Sequence, residues 1–166
     1  MNLIINLKEI KNYFFKKENI YFLLLIIIIF SIDRISKTEI IDKFNENSYY
    51  INNYINFDLI WNTGIGFGFL STDLDLFYNF VTLIIGSIII LLIYFLIISE
   101  ILDKLIYSLI IGGALGNFYD RVFYKAVPDF IDLHFDNFHW FTFNVADIFI
   151  TIGIIIFAMR SFLIKS

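Results

Sequence analysis

The sequence contains no cysteine, which excludes disulfides, thiol nucleophiles and thiolate metal sites, and leaves no trace of a redox compartment. Proline is nearly absent too, with Pro128 the only one, and charged residues make up just 17% of the 166 positions. The formal net charge of −4 comes with no basic stripe of the kind that follows a phosphate backbone, so nucleic acid is not expected as a partner. What is abundant is apolar. Hydrophobic residues reach 59% and aromatic residues 20%, with 21 phenylalanines, more than a soluble domain of this size can hide. A bilayer solvates such side chains and asks only for runs of roughly 20 apolar residues per helix. The expected class is an all-α membrane protein forming a single integral membrane domain.

Residues 76–99 carry no charge and read as the clearest membrane span. An earlier uncharged run, Asn19–Ile32, is too short to cross by itself, so its helix must continue past Asp33 and Lys37. A third run ends at Asp120 and Arg121, and a fourth stretch from Asn137 to Met159 is apolar or aromatic apart from Asn144, Asp147 and a few small polar residues. The expectation is four spans near 19–37, 76–98, 104–120 and 140–160, with outer loops near 38–75 and 121–139. Phe30-Ser31-Ile32 offers no small-x-small cleavage site, so the first span reads as a permanent anchor. Lys8, Lys11, Lys16 and Lys17 before the first span, with Arg160 and Lys165 after the last, favour both termini in the cytoplasm. Twelve of the 16 acidic residues then fall at or beyond the outer face, which is where chemistry is expected. Between Thr38 and Trp61 the Asn-, Tyr- and Ile-rich composition suggests short strands on the membrane surface.

The nucleophiles and metal ligands are weak candidates. Ser36 and Lys37 are neighbours, about 100° apart on a helix, and so do not form a Ser/Lys pair; no G-x-S-x-G occurs. His134 and His139 are five apart without H-E-x-x-H, which argues against a zinc protease and favours two solvated loop histidines. No metal and no cofactor is expected. Carboxylates remain. Asp147 lies in an apolar helix, and Asp129 follows Pro128 in V-P-D-F-I-D-L; both should be poorly solvated. Two such carboxyls brought together share one proton and become a general acid and a general base. Taken alone, either reads more readily as a helix cap or an ion-pair partner, and their spacing does not bring them together. Asp120, beside Arg121, reads as a carboxylate held ionised in a scaffold. Asp33 and Lys37, four apart on one helix face, read as an ion pair at the outer end of the first span, either functional or merely snorkelling. Gly112 and Gly116 have the spacing that lets helices approach closely, with Asn117 next to the contact.

In order along the chain, D-R-I-S-K (Asp33–Lys37), N-T-G-I-G-F-G (Asn62–Gly68), G-G-A-L-G-N-F-Y-D-R (Gly112–Arg121), V-P-D-F-I-D (Val127–Asp132) and F-N-V-A-D (Phe143–Asp147) resemble the boxes of lipoprotein signal peptidase, the type II signal peptidase of bacteria. The resemblance covers nearly the whole chain. It implies an aspartic endopeptidase of the inner membrane with Asp129 and Asp147 as the catalytic pair. Asn62, Gly64, Asn117, Arg121 and Asn144 would position the substrate and the dyad, with Asp33, Lys37 and Asp120 in support. It also implies a small extracytoplasmic β-sheet between the first and second helices, diacylglyceryl-prolipoprotein substrates cut just before the lipidated cysteine, contact with membrane lipids, and a monomer. Two departures stand out: Gly66 where that family usually has alanine, and Pro128 where a small aliphatic residue is common. A competing reading makes Asp129 and Asp147 relay carboxylates of a small transporter or proton-conducting protein. Such a protein should carry repeated halves and polar residues through several helices, whereas the polar groups here gather at one end.

Overall fold

The computed structural model describes residues 16–44, 48–64, 75–136 and 138–164. Isoleucine-rich runs such as Leu23–Phe30 would favour a strand in water, but in hydrocarbon every backbone polar group must be bonded within its own segment, and the helix does that. Among the described residues four helices result: α1 (Lys17–Phe44), α2 (Asp75–Ile98), α3 (Ile101–Tyr124) and α4 (Val145–Ile164). Each is long and apolar enough to cross a membrane. α1, with 28 residues, extends to about 42 Å and carries exposed Asp42 and Lys43 beyond Lys37. Only Ser99 and Glu100 separate α2 from α3, which makes them antiparallel neighbours.

α3 is the central helix and packs against the other three. Its glycines permit this: a Cβ at Gly112 would come within 2.8 Å of Ile29 on α1, and one at Gly116 would overlap the Asp33 carboxylate. The apolar core in the first half of the bundle comprises Ile26, Ile89, Leu96 and Ile111, with Phe22, Leu115 and Phe118 packed around it. Lys104 at the start of α3 pairs with Glu18 at the start of α1, and Asp103 pairs with Arg160 near the end of α4. The starts of α1 and α3 and the end of α4 therefore share one end of the bundle.

At the opposite end lies an antiparallel four-stranded sheet in the order β1 (Tyr49–Tyr50), β2 (Ile55–Asn62), β3 (Val127–Phe135), β4 (Phe138–Phe143). Half of it comes from between α1 and α2, as expected. The other half comes from between α3 and α4, where the sequence suggested a loop. β3 is buried almost continuously over its first four residues, so it lacks the alternation that marks a half-buried strand. Pro128 sits at its second position, opposite Trp61. The aromatic stretch Phe138–Phe143 forms β4, so α4 starts at Val145 rather than near residue 140; apolar content is the same for a strand and for the first turns of a span.

Candidate active site

At the sheet end, α1 delivers Asp33, Arg34 and Lys37. Asp33 and Lys37 are one turn apart and fully buried, with Lys37 Nζ 3.0 Å from Asp33 Oδ2. The same ammonium donates to Asp120 Oδ2 at 2.7 Å and to Asn117 Oδ1 at 2.8 Å, both on α3, so its three protons meet three acceptors. Arg34 Nη1 lies 2.6 Å from Asp120 Oδ1, its Nη2 lies 3.3 Å from Asp33, and the guanidinium covers the Tyr119 ring at 4.8 Å. Asp33 Oδ1 accepts the Ala146 backbone N–H at 3.0 Å, in the first turn of α4, where the helix dipole favours an anion. The Asp33–Lys37 pair is thus no snorkelling end-piece: it ties α1 to α3 and α4. The partners of Asp120 also differ from expectation. They are Lys37 and Arg34, not Arg121, because adjacent residues on a helix point away from one another.

Asp129 is the third residue of β3 and only 3% exposed. Asn62, at the end of β2, donates Nδ2 to its Oδ2 at 2.8 Å, and Asn144 donates Nδ2 to its Oδ1 at 2.6 Å. Burial, with the nearby negative charge of Asp147 adding to it, pushes the Asp129 carboxyl up to about 6 against the opposing pull of the two amides. Asn144 is also the N-cap of α4. Its backbone N–H donates to Asp147 Oδ2 and its Oδ1 accepts the Asp147 N–H, each at 3.1 Å, a reciprocal cap of the capping-box kind. One asparagine therefore touches both aspartates. Asn117 supplies the last link: its Oδ1 faces Lys37, which can only donate, so its Nδ2 is left to donate to Asp147 Oδ1 at 2.8 Å. Asp147 itself is half-buried.

Arg121 donates to the Asn117 carbonyl at 3.1 Å and reaches the Gly64 carbonyl at 3.4 Å. The Gly64 N–H donates to Asn62 Oδ1 at 2.9 Å, which orients the Asn62 amide toward Asp129. Gly66 and Gly68 lie outside the described residues. The ten residues that the resemblance assigns to the site gather here: Asp33, Lys37, Asn62, Gly64, Asn117, Asp120, Arg121, Asp129, Asn144 and Asp147. Arg34 belongs with them and was missed, although it stands inside D-R-I-S-K; a second base beside buried acids was the available signal. Ser36 gives its hydroxyl to the Asp33 carbonyl at 2.8 Å and is no partner for Lys37. His134 departs from its expected solvated state. It lies on β3, 8% exposed, because the segment is a strand covered on that face rather than a loop.

Residues 25–163 match the family described as Signal peptidase (SPase) II. A relative named lipoprotein signal peptidase, from Pelagibacter ubique (strain HTCC1062), is 48% identical over 141 residues, 82% of this chain and 85% of the relative. Another of that name, from Francisella tularensis subsp. novicida (strain U112), is 36% identical over 156 residues, 87% of this chain and 92% of the relative. A solved structure described as a bacterial membrane enzyme, obtained by the in meso method at 2.3 Å, superposes with a TM-score of 0.73 at 30% identity, over 88% of this chain and 90% of that one.

Proposed function

The chain belongs to the signal peptidase II family, and from that membership we infer that this multi-pass membrane protein removes signal peptides from prolipoproteins, with Asp129 and Asp147 as the hydrolytic pair. The observation that carries the assignment of the pair is Asn144, which hydrogen-bonds to both carboxylates at once. Two carboxyls held this way share a proton. The ionised member takes a proton from a water molecule as that water adds to the scissile carbonyl, while the protonated member gives its proton to the carbonyl oxygen. The gem-diol then collapses: the aspartate that now holds the water's proton gives it to the leaving nitrogen, the amino group of the lipidated cysteine, as the C–N bond breaks, while the other aspartate takes a proton from a gem-diol hydroxyl, which leaves the pair singly protonated. Burial raises Asp129 to about 6, so a shared proton persists on the pair to a higher pH than an ordinary aspartate would hold it. Asn62, Asn117 and Asn144 orient the two carboxylates; Arg121 and Gly64 brace Asn117 and Asn62; and the Asp33, Lys37, Asp120 and Arg34 cluster fixes the helices behind them.

A substrate anchored by acyl chains is confined to the bilayer, so a site at the membrane face meets the scissile bond at its own depth and gains proximity. The positive-inside bias of the sequence supports both termini in the cytoplasm and the sheet on the outer face of the inner membrane, with one membrane domain working as a monomer among lipids. Tag-free protein incubated with a diacylglyceryl prolipoprotein should release a signal peptide ending just before the modified cysteine, identified by mass. Cleavage elsewhere, or equal cleavage of the substrate lacking diacylglycerol, would refute the substrate class. Because the aspartate route forms no acyl-enzyme, serine-directed reagents should leave turnover intact.

A further inference from the structure

The far end of the sheet carries a second polar cluster that the peptidase reading does not use. Asp132 and His134 are two apart on β3 and so share a face, and His139 on β4 is the cross-strand partner of His134. Asp132 Oδ2 lies 2.7 Å from His139 Nδ1 and 3.5 Å from His134 Nδ1, and the two rings stack at 5.4 Å. One ligand atom from each of the three lies within 4.8 Å of the others. A tetrahedral zinc site needs ligand atoms about 3.3 Å apart, within reach of small side-chain rotations.

A second observation points the same way. His134 is 8% exposed, yet its buried Nδ1 has no hydrogen-bond partner among the described residues, and the same is true of Asn56 Oδ1. Asn56 stands directly across from Asp132 on β2. An amide oxygen can only accept, and His134 Nδ1 stands 3.5 Å from Asp132 Oδ2 without hydrogen-bonding to it; leaving two such polar atoms buried and unsatisfied is unfavourable, and a cation bound by both would satisfy them.

We propose that Asp132, His134 and His139 form a site for a divalent zinc-like transition-metal ion, with Asn56 Oδ1 beside them as a further oxygen donor. Two imidazoles and a carboxylate favour zinc over magnesium or calcium, which prefer all-oxygen shells. The ion would clamp β2, β3 and β4 together. His134 lies five residues, about 16 Å, along β3 from Asp129, and Asp129 is bonded to asparagines rather than histidines, so the site is separate from the aspartate pair.

The test uses tag-free, EDTA-stripped protein in detergent, dialysed against zinc, with bound metal counted by mass spectrometry and Tm measured with and without zinc. Cobalt provides a spectroscopic check, since a tetrahedral site with nitrogen ligands gives strong visible absorption. The wild type should hold about one zinc per chain and melt higher with it. His139 is 57% exposed at its side chain, so His139→Gln should keep the metal-free Tm while binding zinc roughly tenfold more weakly or worse. His134→Gln should likewise lose the cobalt spectrum. Absence of stoichiometric zinc in the wild type, or wild-type zinc affinity in both variants, overturns the proposal. Cleavage of prolipoprotein by the metal-free enzyme reports separately on the aspartate pair.

Discussion

At the end of the bundle where α1 and α3 begin, one buried ammonium, Lys104, meets Glu18 at 2.8 Å and Asn19 at 2.6 Å. Glu18 is 36% exposed at its side chain, so that pair keeps one foot in water. At the sheet end, Asp33, Asp120 and Lys37 have no exposed surface and Arg34 little. There the two acids and two bases cancel, and the shortest contacts, from Lys37 and Arg34 to Asp120, cross between helices. The first arrangement can lose its ammonium and let solvent take up the partly exposed Glu18 carboxylate. The second cannot, since removing one partner leaves an uncompensated charge in a dry site. One end is held by apolar packing with a charge at its edge, and the other by an interlocked neutral quartet that fixes the position of the reacting groups.

The largest effects should come from the reacting groups themselves. Asp129→Asn and Asp147→Asn should each lower kcat by about a thousandfold or more while the protein stays folded, because an amide preserves the shape but cannot exchange the proton. Asp129 adds a stability signature. Its folded pKa of about 6 lies above the unfolded value of about 3.9, so the folded state binds the proton more tightly. The stability this group contributes is full below the unfolded value and is lost as pH rises through about 6, a difference of roughly 3 kcal/mol by pH 7. Thermal melts of the wild type should show that decline across pH 4 to 7, and melts of Asp129→Asn should lack this component. Near wild-type turnover in either amide variant would remove that aspartate from the pair.

Next come the charges behind the dyad. Lys37→Met should destabilise by about 3–5 kcal/mol and lower activity together with Tm, unlike the dyad amides. Adding Asp120→Asn leaves Arg34 to balance Asp33 alone and so removes the excess negative charge, and the double variant should melt higher than the sum of the two single losses predicts. Strict additivity in a double-mutant cycle would show that the quartet is not coupled. A smaller contrast tests the close helix contacts: Gly116→Ala forces a methyl group onto the Asp33 carboxylate and should lower both Tm and kcat, whereas Gly86→Ala meets only the tip of the Phe118 ring at 3.1 Å and should be tolerated. Equal damage from both would mean that the Asp33 contact has no special weight. The smallest effect belongs to the other end. Lys104→Met leaves Glu18 to water and should change kcat by less than about twofold, since solvent screens the partly exposed pair and it lies at the other end of the bundle from the aspartates. A large loss of activity there would erase the distinction between the two ends.

The membrane class and the four helices could be read from the chain because run length and absence of charge are local properties, and in a bilayer they leave the backbone only the helix as an open-ended solution. Asp129 and Asp147 could be picked out as poorly solvated acids, and the order of the five boxes carried the family resemblance. Local pattern could not supply the meeting of these residues. Asn144 reaches Asp129 across 15 residues, Asn62 reaches it across 67, and Ala146 reaches Asp33 across 113. For the same reason Arg121 looked like the partner of Asp120 when Lys37 and Arg34 hold it, and His134 looked solvated when strand pairing buries it against Asp132, whereas His139 is exposed as expected. A buried ion's partner is chosen by whichever donors packing brings within about 3 Å, and that depends on how α1, α3 and α4 close around the glycines of α3 and on the register of β2 and β3, neither of which has a signature in neighbouring residues.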